Sequence, residues 1–149
     1  MKVRNIMTRN PSVVFPGSTI ADVARIMRDR RIWMLPVIDD LGPRRLVGVI
    51  TDHDVVTRCV AKRRAHTDLV RDHMTRERIA SVTTETEVAD AVALMDSRCL
   101  RRLPVVDAES RLVGVLTLTD LRTRLTPRNS SVVQRVEQRV QRARRAKSS

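Results

Sequence analysis

The sequence predicts a mixed α/β (α+β) fold, built as two tandem β-α-β-β-α repeats with a basic helix appended. Three observations carry this. A pattern of more than 50 residues recurs along the chain in near-constant register. Within each copy the apolar spacing changes between strand and helix periods in the same order. Beyond the second copy the composition shifts to arginine around a valine stripe.

The recurrence is read directly. Val3-Arg4-Asn5-Ile6-Met7-Thr8 matches Val70-Arg71-Asp72-His73-Met74-Thr75, and Ala21-Asp22-Val23-Ala24-Arg25-Ile26-Met27 matches Ala89-Asp90-Ala91-Val92-Ala93-Leu94-Met95. Leu35-Pro36-Val37-Ile38-Asp39 matches Leu103-Pro104-Val105-Val106-Asp107. After a two-residue deletion, Leu46-Val47-Gly48-Val49-Ile50-Thr51 matches Leu112-Val113-Gly114-Val115-Leu116-Thr117, and Asp54 matches Asp120. The boundaries expected are a first repeat over 3–62, a linker over 63–69, a second repeat over 70–126 and a tail helix over 127–149.

Each repeat opens on a short apolar strand, Val13 to Phe15 and Ala80 to Val82. A helix follows, with Ile20, Val23, Ala24 and Met27 or Val88, Ala91, Val92 and Met95 at helical spacing. Ser18 and Thr86 are the expected N-caps, since a hydroxyl there accepts an orphaned backbone N–H. Two β-branched strands come next, Met34 to Ile38 with Leu46 to Ile50, and Arg102 to Val106 with Leu112 to Leu116. A second helix starts near Thr51 or Thr117. One such unit is too small to bury its sheet alone, so the two are expected to cover each other about a pseudo-two-fold axis.

Composition narrows the function. Hydrophobic residues make up 42% and charged residues 31%, as in a globular protein with a core. No apolar run reaches the roughly 18 to 20 residues of a membrane span, and the N-terminus lacks the apolar stretch of a secretory signal, so a cytoplasmic location is expected. Cys59 and Cys99 are expected to be reduced. With Trp33 and Phe15 the only aromatics, a base-stacking platform for single strands is disfavoured. His53, His66 and His73 share no metal-binding spacing, so no metal site is expected, and no nucleophile elbow or Gly-rich phosphate loop suggests catalysis. The net charge of +12 is uneven: from Pro127 onward seven Arg and Lys residues face Glu137 alone, half of the total.

The most specific local signal is Gly48-Val49-Ile50-Thr51-Asp52-His53-Asp54 and its twin Gly114-Val115-Leu116-Thr117-Leu118-Thr119-Asp120. A threonine at a helix start can help receive a phosphate, and an aspartate one turn in can accept both hydroxyls of a ribose. A single Thr-x-x-Asp is equally an N-capping motif, but recurrence at one place in both halves favours a ligand role.

On these motifs residues 3 to 125 resemble the cystathionine-β-synthase-type (CBS) domain family, of the stand-alone two-repeat kind. The glycine-led Thr-x-x-Asp motif and the apolar-Pro-Val-apolar-Asp strand both occur twice. The resemblance implies that Asp54 and Asp120 bind ribose, that Thr51 and Thr117 contact phosphate, and that two clefts are each built from both halves. It implies an adenine pocket for the Asp120 cleft from Thr8, Val13, Ile32 and Trp33. For the Asp54 cleft the implied set is Thr75, Ala80, Val82, Leu100 and Arg101. Thr119 and His53, immediately before the two aspartates, complete the ligand-binding set. Before the proline the second repeat has Arg101-Arg102 where the first has Trp33-Met34. A guanidinium at Arg102 can pair with phosphate and Met34 cannot, so the Asp120 cleft is expected to be the better phosphate site. The Asp54 cleft is expected to be weaker, empty, or suited to a less charged ligand. Arg101 and Arg102 could instead be a solvated strand start, and Trp33 could fill a core or a dimer interface.

The function implied is a non-catalytic regulatory module that binds an adenosine ligand (AMP, ADP or ATP, with S-adenosylmethionine as a further candidate), requires no cofactor, forms a homodimer and acts in trans on a protein effector, as in energy sensing. The alternative is a dimeric scaffold that binds nucleic acid or an acidic partner through its basic C-terminal helix. For that helix, Val132, Val133, Val136 and Val140 form a stripe that could also pack on the repeats or on a twin.

Overall fold

The computed structural model describes residues 1–125 and 130–146. In chain order its elements are β1 (Thr8–Arg9), α1 (Ile20–Arg30), β2 (Met34–Ile38), β3 (Leu46–Thr51) and α2 (Asp52–Asp54), which runs on as a π-helix over Val55–Val60. The second half supplies β4 (Val82–Thr83), α3 (Val88–Arg98), β5 (Arg102–Val106), β6 (Leu112–Thr117) and α4 (Leu118–Arg124), and α5 (Ser130–Ala146) closes the chain. The mixed α and β composition and the C-terminal helix are as the sequence predicts.

The residues divide into two compact units, and the cut does not follow the repeats. One unit, here the Asp54 unit, holds Pro11–Ile79 and Glu109–Leu112. The other, the Asp120 unit, holds Met1–Asn10, Ala80–Ala108 and Val113–Ser149. Each repeat therefore gives its leading segment to the other unit: Val3 to Thr8 folds with the second repeat, and Val70 to Thr75 with the first.

In the Asp120 unit the strand order is β1-β6-β5-β4, with Thr8 opposite Val115 in antiparallel register and Val82 opposite Val105 in parallel. The Asp54 unit repeats this order in lighter form. β2 and β3 pair antiparallel with Met34 opposite Thr51, a bridge joins Val49 to Thr75, and another joins Val14 to Val37. The strand expected over Val13 to Phe15 is thus a single bridge at Val14, and that over Ala80 to Val82 lies two residues later, at Val82–Thr83.

The two first helices begin one residue later than expected. Thr19 caps α1 in a reciprocal box with Asp22, while Glu87 precedes α3 without a side-chain cap. Ser18 and Thr86 instead accept the N–H of Phe15 and Thr83, both at 3.0 Å. Their hydroxyls close the turn entering the helix, a local alternative to capping that short hydroxyl side chains favour. Both helices end on a residue in left-handed conformation, Arg31 and Cys99, each at φ 53°. The reversal returns the N–H of Ile32 to the Met27 carbonyl and that of Leu100 to the Met95 carbonyl, and so aims the residues before β2 and β5.

Each unit has its own core. That of the Asp54 unit gathers Val14, Ile20, Val23, Met27, Leu35, Val37 and Ile50 with Cys59, Val70 and Met74. In the Asp120 unit Val3, Met7, Val92, Met95, Leu103 and Leu116 are joined by Val133, Val136 and Val140 of α5. Full burial of one valine contributes about 1.5–3 kcal/mol, so the stripe fixes α5 to this unit. Val132 is the exception among the four valines, at 38% exposure. Arg139 Nη1 donates to Asp96 at 2.9 Å, and Arg122 pairs with Glu137. Arg128 and Lys147, counted in the basic tail, lie outside the described residues. Cys59 is buried and Cys99 half-buried, both free thiols. Among the described residues no helix is long and apolar enough to cross a membrane.

Candidate ligand-binding site

Both Thr-x-x-Asp motifs sit where a central strand runs into a helix. Thr117 ends β6 and caps α4: its hydroxyl accepts the Asp120 N–H at 3.1 Å, and its own N–H donates to Asp120 Oδ2 at 2.8 Å. The Thr117 hydroxyl also lies 2.7 Å from Asp120 Oδ2. Thr51 repeats the box with Asp54, at 3.1 and 2.9 Å. Capping and site geometry are therefore one arrangement: the box holds each carboxylate at the mouth of the strand with one oxygen turned inward. Both aspartates are buried.

The other oxygen of Asp120 accepts the hydroxyl of Thr8 at 3.0 Å, across 112 residues of sequence. The glycine of the motif makes this approach possible. A Cβ on Gly114 would lie 2.8 Å from the Thr8 carbonyl oxygen and 2.9 Å from Met7 Sδ. At Gly48 it would meet Met74 Sδ at 2.8 Å and the Thr75 carbonyl oxygen at 2.9 Å. Glycine is needed here for close approach of the leading segment, not for a turn.

The expected pocket residues are divided between the two units. The structure sets Val13, Ile32 and Trp33 in the unit of Asp54, and Ala80, Val82, Leu100 and Arg101 in the unit of Asp120. Strand pairing is the reason. Because Met34 lies opposite Thr51, the Trp33 carbonyl accepts the N–H of Asp52 at 3.1 Å. In the same way the Arg101 carbonyl accepts the N–H of Leu118 at 3.0 Å. Residues before the proline strand thus reach the helix start of their own repeat, and only the leading segments are exchanged. Thr8 lies in the unit of Asp120, and Thr75 in the unit of Asp54.

Within the Asp120 unit Ala80, Val82 and Leu100 pack on the core, while Arg101 and Arg102 are half-buried at the start of β5 and Thr119 is exposed on α4. Within the Asp54 unit Val13, Ile32 and Thr75 are half-buried and His53 is exposed. Trp33 is 45% exposed, so it does not fill its unit's core. A cavity of about 270 Å³ between α4 and α5 is lined by Leu121, Arg122, Leu125, Val133 and Gln134, none of them in the candidate set. Among the described residues no group of three or more His, Cys, Asp or Glu side chains could hold a metal ion.

One residue near the site was not singled out from sequence. Arg58, on the π-helix, places Nε 3.5 Å from Asp54 Oδ1 and donates through Nη1 to the His73 carbonyl at 3.0 Å. The legible signal was an Asp and an Arg four residues apart after a helix start, which face each other on a helix. The His73 ring is buried and lies 2.9 Å from Asp68 Oδ2, which also accepts Arg64 Nε at 2.8 Å. These two donors, the His73 ring first, hold the Asp68 carboxyl below its ordinary range.

A carboxylate cradle built twice, each on a β-α-β-β-α repeat completed by the other repeat's leading segment, defines a paired-repeat module. The CBS domain family model matches residues 3–61 and 70–126, and the chain belongs to the CBS domain family. CBS pairs are regulatory modules, and the domain itself is non-catalytic. The chain is 36% identical over 120 residues to an uncharacterized 17.7 kDa protein of Acidianus ambivalens, covering 80% of this chain and 70% of that one. Among solved structures it is similar to CBSX2 of Arabidopsis thaliana in complex with AMP. That match has a TM-score of 0.70 and 32% identity over 82% of this chain and 93% of the other. It is also similar to the CBS domain pair of protein MJ0100 in complex with 5′-methylthioadenosine and S-adenosyl-L-methionine. There the TM-score is 0.71 and the identity 26%, over 83% of this chain and 94% of that one.

Proposed function

We propose that this protein is a regulatory sensor of adenine nucleotides, of the AMP or ATP kind, acting in trans on a protein partner as a cytoplasmic homodimer. The observation that carries the reading is the pair of capped aspartates, each held at a strand mouth by its threonine, Asp54 by Thr51 and Asp120 by Thr117. Solved relatives with AMP, 5′-methylthioadenosine and S-adenosyl-L-methionine support an adenosine ligand. In this reading Asp54 and Asp120 take the ribose hydroxyls, and Arg102 pairs with phosphate beside Asp120. Ligand binding shifts the population of two arrangements of the module, and a partner responds if it binds one of them better.

The scaffold reading, with a nucleic acid or acidic partner on the tail, has less to stand on. Val133, Val136 and Val140 of α5 are buried in the core of its own unit, so packing there already accounts for most of the stripe.

The test is thermal stability and calorimetry with AMP, ADP, ATP and S-adenosylmethionine. A ligand at 100 times its dissociation constant adds about 2.7 kcal/mol. Asp120→Asn is expected to abolish binding at one site and Asp54→Asn at the other, each leaving one site per chain. If none of the four compounds raises the melting temperature or gives heat, the sensor reading is wrong.

A further inference from the structure

Asp54 and Asp120 occupy the same position of the repeat, yet different groups meet their outward oxygens. At Asp120 the group is a neutral hydroxyl, that of Thr8 at 3.0 Å. At Asp54 it is a cation, the Arg58 guanidinium at 3.5 Å. That guanidinium is anchored at its far end on the His73 carbonyl, and the His73 ring is in turn fixed by Asp68. Its side chain is still 44% exposed, so it has room to move away from the carboxylate.

Resting on the sensor reading, we infer that Arg58 makes the Asp54 site selective for a phosphate-bearing nucleotide over the neutral nucleoside. Asp54 Oδ2 is committed to the Thr51 N–H, so a ribose diol must compete for Oδ1, where the guanidinium stands. A hydroxyl in the place of Thr8 can turn away and find water. A cation displaced from its carboxylate loses an ionic partner, and a neutral ligand offers none in return. A nucleotide does, because its 5′-phosphate is joined to the same ribose that displaces the arginine. The planar fork suits this exchange of carboxylate for phosphate. The selectivity reverses what the sequence suggests for this cleft. Met34 lacks the charge of Arg102, but the helix supplies a cation that the strand does not.

The test uses the full chain with the other site silenced by Asp120→Asn, and titrates AMP and adenosine calorimetrically. The expected result is AMP preferred by about tenfold or more, the range of one charge-assisted hydrogen bond. Adding Arg58→Gln should lower AMP affinity about tenfold and leave adenosine unchanged or tighter, so the preference disappears. Arg58→Lys, which keeps the charge without the fork, should retain part of it and guards against a misfolded Gln variant; melting curves check both. If Arg58→Gln lowers the melting temperature but leaves the AMP-to-adenosine ratio untouched, Arg58 is a structural ion pair and the inference is overturned. If the Asp120→Asn protein binds neither compound while the parent binds AMP, Asp54 is no site and the inference falls with that part of the reading. If the parent itself binds neither, the sensor reading fails as a whole.

Discussion

The helices that follow Thr51 and Thr117 hold one place in the repeat and meet different surroundings. After Thr117 the chain forms a regular α-helix, with Leu121 fully buried and Arg122 paired with Glu137 of α5. After Thr51 it widens into a π-helix, and Val56 and Val60 stand 56% and 64% exposed. The same contrast runs through the first helices, where Val92 is buried and its counterpart Ala24 is exposed. One element accounts for it: α5 packs on α3 and α4 in the Asp120 unit. The repeat thus dictates the capping box and the position of the carboxylate, while α5, outside it, decides how well the helices behind it are covered. π-Helical turns inside helices are frequent at functional sites, and this one carries the cation facing Asp54.

The largest effect expected is on that cover. Val136→Asp places a charge in the apolar cluster that holds Val92, Met95 and Leu121. The cost is about 3 kcal/mol or more, from lost burial and an unpaired buried charge. Amide hydrogen exchange on the full chain should show protection falling in α3 and α4 while β2, β3 and α1 keep theirs. Equal losses in both units, or none, would mean that α5 does not distinguish them.

A smaller effect separates the leading segments. Thr8→Val removes the hydroxyl bonded to Asp120 and is expected to cost about 1 kcal/mol by chemical denaturation. Thr75→Val removes the counterpart, while Asp54 Oδ1 is met by Arg58 instead, so the change should stay within about 0.5 kcal/mol. Matching losses would imply that the two carboxylates are supported alike.

How much of this the sequence shows depends on the range of the interaction. β2 and β5 fall on the residues expected, because their apolar runs are bounded by local turn signals. The capping boxes at Thr51 and Thr117 are equally local. Ser18 and Thr86 mislead by one residue because a hydroxyl can serve the preceding turn as well as the helix, a choice that periodicity does not settle. That the Trp33 carbonyl meets the start of α2 follows from the hairpin register and could have been read from it. The approach of Thr8 to Asp120 was legible only through the family resemblance, because it spans 112 residues and is permitted by a glycine whose purpose only the packed structure reveals. Arg58 was legible only in part: its spacing of four from Asp54 is a local signal, but its other partner, the His73 carbonyl, is backbone and carries none.

The smallest expected effect concerns acid. Both first helices begin beside a carboxylate, but each is held differently. Asp22 sits inside the α1 capping box, and the backbone N–H of Thr19, then its hydroxyl, keep its carboxyl below the ordinary range. Glu87 stands just before α3 and is met by Lys2 first and then by the Met1 amine, which take its carboxyl from 4.5 to about 2. A carboxyl whose folded value is depressed binds protons more readily when unfolded, so its contribution is present above the unfolded value and is lost as pH falls through the folded one. For Glu87 that window runs from about 4.5 down to about 2. The pair is exposed and screened by solvent and salt, so the loss should be local. Exchange protection of the Val3 and Val88 amides, which donate to Thr86 and Met1, should fall across this window in the parent protein and stay flat in Glu87→Gln. The α1 amides should respond to Asp22→Asn and not to Glu87→Gln, since Asp22 belongs to the other unit. An identical acid profile in Glu87→Gln and the parent would show that the charges around Glu87 add nothing to the anchoring of the leading segment, and so of Thr8 against Asp120.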